Sequence, residues 1–145
     1  MNALNRSLLA VVIGTGIAIV LAEAILALLV LVSGFEPLLP TLAAGEALRG
    51  AALVLLGLVW LWAAAAGGAV TAGLSQHPLL AVPVGLACGI PVGFTALVGL
   101  LPAAWALALA LSPVLGCLLG ARAVVQLQRR DRAEAVNAWS GQAEL

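Results

Sequence analysis

Apolar residues fill four long stretches of the chain, over 8–32, 50–74, 79–101 and 103–123, and short polar or proline-bearing segments separate them. A helix needs about 20 apolar residues, rising about 1.5 Å each, to cross a hydrocarbon layer of about 30 Å. Each stretch meets that length. The pattern therefore predicts an all-α integral membrane protein, an antiparallel four-helix bundle with short loops. Residues 1–7 form a short N-terminal segment, residues 8–125 a single transmembrane domain and residues 126–145 a polar tail.

The interruptions have local causes. Ser33-Gly34-Phe35-Glu36-Pro37 stops the first helix, because glycine suits the C-cap and proline cannot continue the helix. Pro37 and Pro40 then give a short extended stretch, and Glu46 and Arg49 sit near the start of the second helix. Ser75-Gln76-His77-Pro78 makes a tight polar turn, and Pro102 divides the third stretch from the fourth so closely that these two helices are expected to be antiparallel neighbours. Arg130 and Glu134, four apart, are expected to prolong the fourth helix by a few turns, with Trp139 at the headgroups and the last residues disordered. Ala22-Glu23-Ala24 resembles a signal-peptide cleavage site. The apolar run resumes at Ile25 and continues to Val32, so the first helix is expected to be retained.

Composition strengthens this picture. Hydrophobic residues make up 64% of the 145 and charged residues only 8%, with a mean hydropathy of +1.21. A water-soluble domain carries about 25% charged residues. Six basic and six acidic side chains cannot cover the surface of a soluble chain this long. The 72 residues between Arg49 and Arg122 hold no full charge, and net charge is zero, which gives no basis for nucleic-acid binding. Arginine placement orients the bundle. Four spans put both termini on one side with Arg6, Arg122, Arg129, Arg130 and Arg132, against Arg49 alone opposite. This places the termini in the cytoplasm of a bacterial cell with an inner (plasma) membrane.

Helices in lipid gain little from apolar burial and associate by close packing of small residues. The third span carries Gly85, Gly89 and Gly93 on one face, and the fourth carries Ser112, Gly116 and Gly120. The second offers Ala64, Gly68 and Ala72, and the first Gly14, Ala18 and Ala22. These stripes suit packing within the bundle or contact with another copy or a partner subunit, and both readings stay open. Pro83, Pro91 and Pro113 lie inside spans and are expected to bend them.

Glu23 is the candidate for chemistry. It falls near the middle of the first span, where an acid must be protonated, paired or beside water. It can serve as a proton or substrate site, approach the interface and meet Arg49, or stay neutral and hydrogen-bonded in the bundle. Leu21-Ala22-Glu23-Ala24-Ile25 followed by Ser33-Gly34-Phe35-Glu36-Pro37 resembles the start of the small multidrug-resistance transporters. That resemblance covers under a fifth of the chain and implies a proton and substrate role for Glu23 alone. The remainder departs from the pattern: Gly89-Ile90-Pro91-Val92-Gly93 stands where that family has an aromatic and glycine motif, and tyrosine is absent. Gly67-Gly68, the turn at Pro78 and the glycines beyond are also similar to small bacterial four-helix inner-membrane proteins, a likeness that implies no mechanism.

Cys88 and Cys117 lie at similar distances from Pro102 and are read as small packing residues rather than a disulfide or metal pair. His77 is the only histidine, which argues against haem, and Trp60, Trp62 and Trp105 suit packing, lipid contact and the interface belt. No GxSxG, P-loop, HExxH, CxxC or dinucleotide pattern occurs. No cofactor is expected. The expected role is a non-enzymatic structural or accessory subunit, with the bilayer and another membrane subunit or copy as partners. The alternative is a small proton-coupled transporter using Glu23.

Overall fold

Turn chemistry fixes where the helices begin and end. The computed structural model describes residues 3–33, 46–98 and 101–142. Among them run four long helices and no strand: α1 (Ala3–Ser33), α2 (Glu46–Ser75), α3 (Ala81–Val98) and α4 (Ala103–Gln142), with a 3-10 turn at Pro78–Leu80. All four are long and apolar enough to cross a membrane. The segment with Glu36, Pro37 and Pro40, and Glu144 with the end of the tail, lie outside the described residues.

α2 stops because Gln76 turns left-handed, with φ of 61°. Its N–H closes the helix on the Ala72 carbonyl at 2.9 Å, the usual geometry of a helix C-terminus. Ser75 Oγ donates to the Thr71 carbonyl at 2.6 Å and accepts the His77 N–H at 3.2 Å, which locks the turn. At the other turn the Pro102 carbonyl accepts from Trp105 and Ala106, and so starts α4. α4 then continues well past the expected few turns, to Gln142.

The three span prolines behave differently. Pro83 is the third residue of α3. A residue in the first turn has no partner carbonyl within the helix, so its missing N–H costs nothing. The bend expected there has no physical cause. Pro91 and Pro113 do lie inside their helices. Pro113 deprives the Leu109 carbonyl of its donor, and Ser112 Oγ supplies one instead at 2.9 Å. Hydroxyl repair of this kind is how apolar surroundings tolerate proline. Ser112→Ala is expected to destabilise the fold by about 1 kcal/mol, read as a lower midpoint in detergent-titrated unfolding. An unchanged midpoint would show that Leu109 finds another donor.

α2 lies against both α1 and α4, and α3 packs mainly on α4, with smaller contacts from α3 to α1 and α2. The interior is built from small residues: Ala18, Ala22, Ala63, Ala64, Ala81, Cys117 and Ala121 are buried. Most large residues point outward, Leu53, Val59, Val84 and Leu109 being buried among the alanines. Val12, Val20, Trp62, Ile90, Phe94, Leu107 and Leu119 are all more than half exposed. This distribution reverses that of a water-soluble core, where large aliphatic and aromatic side chains are the ones hidden.

Candidate functional site

The contacts between helices are backbone contacts made possible by glycine. A side chain at Gly116 would strike the Leu61 carbonyl, and one at Gly120 the Ala65 carbonyl, so α4 meets α2 four residues apart on both helices. Gly68 faces the backbone of Cys117 from the other side. Gly85 lies against Val114 and the Pro113 carbonyl, Gly89 against the Ala110 carbonyl, and Gly93 against Ala110 Cβ, which joins α3 to α4. Gly14 and Gly67 meet across α1 and α2. The five glycines singled out in the third and fourth spans, Gly85, Gly89, Gly93, Gly116 and Gly120, thus all meet neighbouring helices of the same chain.

The second span carries two packing faces, not one. Ala64, Gly68 and Ala72 face α4, whereas Ala63, Gly67 and Thr71 face α1. Thr71 is the polar centre of the second face. Its buried hydroxyl lies 2.9 Å from the Gly67 carbonyl and 3.2 Å from the Ala10 carbonyl of α1, sharing its proton between them. Beside it Arg6 Nε donates to the Leu74 carbonyl at 2.9 Å, tying the start of α1 to the end of α2. Thr71 did not stand out in the sequence, and Ser112 did so only as a small residue in the stripe with Gly116 and Gly120. The signal for their hydrogen bonding was a hydroxyl in an apolar span, four residues after a glycine for Thr71 and immediately before a proline for Ser112.

Glu23 does not enter this interior. Its neighbour Ala22 is fully buried, but Glu23 lies exposed on the outward face of α1. Among the described residues it makes no hydrogen bond or ion pair, and Arg49, its expected partner, lies outside the described side chains. The apolar part of α1 spans Leu4–Leu29, which puts Glu23 six to seven residues, or about 10 Å, beyond its midpoint.

The remaining candidates fall into structural places. Cys88 and Cys117 are buried free thiols, and Cys117 Sγ donates to the Ala64 carbonyl at 3.1 Å. His77 is exposed in its turn. Trp60 packs with Ala22, Val59 and Ala63, and Trp62 points outward. Among the described residues no three or more His, Cys, Asp or Glu side chains group as a metal site would require. An open groove of about 530 Å³ runs between α3 and α4, its floor formed by Gly93, Ala106 and Ala110 and its walls by Ile90, Phe94 and Leu107. Its lining is apolar, suited to an acyl chain or another helix and not to polar chemistry.

Five of the six arginines gather at one end, and Arg49 stands at the start of α2, toward the other. Arg6 reaches Leu74, and Val124 packs on the cluster containing Ala72, which sets exposed Arg129, Arg130 and Arg132 beyond that same end. The chain matches no protein-family model, and neither the curated proteins nor the solved structures yield a match.

Proposed function

We propose that the chain is an integral protein of the bacterial inner membrane, an antiparallel four-span bundle with both termini in the cytoplasm. In this reading it serves as a non-enzymatic structural or accessory subunit beside other membrane components. The observation that carries the reading is the distribution of side-chain size: alanine and glycine dominate the interior, with Leu53, Val59, Val84 and Leu109 the buried large aliphatics, while most leucine, valine, phenylalanine and tryptophan side chains lie outside. Water would penalise that surface by about 25 cal/mol for each Å² of exposed apolar area, whereas lipid tails accept it. The helix pairings support the antiparallel topology: Arg6 lies by Leu74 and Gly14 by Gly67, and Gly85 lies by Val114 and Gly93 by Ala110. The excess of arginine at the end that holds both termini, against Arg49 alone at the other, supports cytoplasmic termini.

The tight interior supports a scaffold role. Glycine contacts close the faces between α2, α4 and α3 at backbone distance, and the buried hydroxyls of Thr71, Ser75 and Ser112 are all engaged. A proton-coupled carrier using Glu23 needs a path into the bundle that reaches this residue, and Glu23 instead lies exposed on the outward face of α1. Glu23→Gln is therefore expected to leave membrane accumulation and cellular phenotype at wild-type level. Loss of a transport or proton-flux activity in that variant, with folding intact, would favour the carrier. Orientation is checked with a reporter fused after Leu145. A cytoplasmic reporter should be active there, and activity of a periplasmic one would reverse the topology.

A further inference from the structure

α3 is held unevenly along its length. Over residues 81–90 it is clamped on α4: a side chain at Gly85 would begin 2.6 Å from the Val114 Cα, and one at Gly89 would strike the Ala110 carbonyl. Ala81, Val84 and Cys88 are buried in the same half. Beyond Pro91 the two helices part. A side chain at Gly93 would begin 3.5 Å from the nearest α4 backbone atom, the Ala106 carbonyl oxygen, with only the Ala110 methyl closer. The groove opens at this point, with Gly93 and Phe94 on one side and Ala106, Leu107 and Ala110 on the other. Ala96 anchors this half on Leu53, Ala106 and Leu109, while Phe94, Leu97 and Val98 are more than half exposed.

The change falls at a proline without the repair seen in α4. Pro91 has no N–H to give the Ala87 carbonyl one turn earlier. At Pro113 the preceding residue, Ser112, lends its hydroxyl to the stranded Leu109 carbonyl. Ile90 precedes Pro91 and has no donor to lend, and among the described residues no side chain donates to Ala87. Ala87 and Pro91 both lie on the exposed face of α3, where lipid tails offer no donor either. Gly89 and Gly93 stand two residues to either side of Pro91. Glycine adopts a wide range of backbone angles, and proline is the usual place for a helix to kink. One turn of α3 therefore lacks both a backbone bond and the side-chain bulk that would stiffen it.

We propose that Gly89, Pro91 and Gly93 form a hinge, about which residues 92–98 swing as an arm while residues 81–90 stay fixed on α4. The swing widens and narrows the groove between α3 and α4. The inner half cannot follow, because Gly85 and Gly89 leave no space between the two backbones. A change of about 20° in the bend carries the Leu97 backbone, six residues or about 9 Å past Pro91, through about 3 Å. Hinges of this kind confine a motion to a few backbone angles and leave the packed elements intact.

Spin-label distances in liposomes test the hinge. Labels are attached to Leu97→Cys and Leu107→Cys across the groove, and in a second sample to Leu86→Cys and Leu115→Cys across the clamped half, both in a chain with Cys88→Ala and Cys117→Ala. All four positions are exposed. The expected result is a distance distribution about 3 Å broader for the groove pair than for the clamped pair, narrowing to match it when Pro91→Ala restores the missing donor. Equal widths for the two pairs, or a groove-pair width that Pro91→Ala leaves unchanged, would overturn the proposal. Should the cysteine-free chain not accumulate, hydrogen exchange of the unlabelled protein decides. Amides of residues 92–98 should exchange faster than those of residues 84–90, and Pro91→Ala should slow them by about tenfold, as one regained backbone bond implies. Exchange in residues 92–98 that Pro91→Ala does not slow would overturn the hinge.

Discussion

Replacing Gly120 by leucine is expected to prise α2 from α4 and to lower the thermal midpoint in detergent by on the order of 10 °C. The first side-chain carbon at Gly120 would run into the Ala65 carbonyl, its carbon and its Cα. Those are backbone atoms of a helix and cannot swing aside as a flexible side chain would. The helices must separate, which also opens the contact of Gly116 with Leu61 one turn away. Overpacking a tight interior typically costs about 1–3 kcal/mol, and a backbone clash belongs at the upper end. Gly73→Leu supplies the control. It introduces the same residue into α2 where nothing lies within 4 Å, so its midpoint should stay close to that of the wild type. Equal effects from the two variants would mean that leucine at a helical glycine matters by itself and the contact does not.

Gly89→Leu should have an effect of similar size through a different pair of helices. Gly89 sits on the Ala110 carbonyl, midway between Gly85 on Val114 and Gly93 on Ala110 Cβ. α3 is the shortest of the four helices and leans mainly on α4. With that seam forced apart, α3 has little else to hold it. Lower accumulation in the membrane and faster cleavage by added protease near the Pro78 and Pro102 turns are expected. The variant also separates the two uses open to a glycine stripe. If Gly85, Gly89 and Gly93 served a partner subunit, Gly89→Leu would spare the stability of the purified chain and alter only its assembly.

Much of the fold was legible because helices long and apolar enough to cross a membrane stand out as unbroken apolar runs. Pro78 and Pro102 announced two turns, and the apolar run before Ser33 announced the first helix. The partners of each face were not legible. In water a helix shows its buried side by contrast between apolar and polar residues. Here both sides are apolar, so only residue size distinguishes them, and adjacent small residues blur that signal. Gly67 and Gly68 are neighbours in sequence, yet one meets α1 and the other α4. The hydroxyl that repairs Pro113 was hidden for a different reason: Ser112 reads as one more small residue in a stripe until its bond to Leu109 is seen. The direction of Glu23 could not be read either, since its flanking residues Ala22 and Ala24 are identical but lie on opposite sides of the surface boundary, Ala22 buried and Ala24 exposed.

Membrane fractionation after an alkaline carbonate wash bears most directly on the medium that surrounds these helices. Such a wash strips proteins held at the bilayer surface and leaves those embedded in it. The chain should remain wholly in the pellet and come into solution only with detergent, because its outward leucine, valine and tryptophan side chains have no other compatible solvent. Release into the wash as a monodisperse species without detergent would contradict the membrane-embedded bundle and everything built upon it.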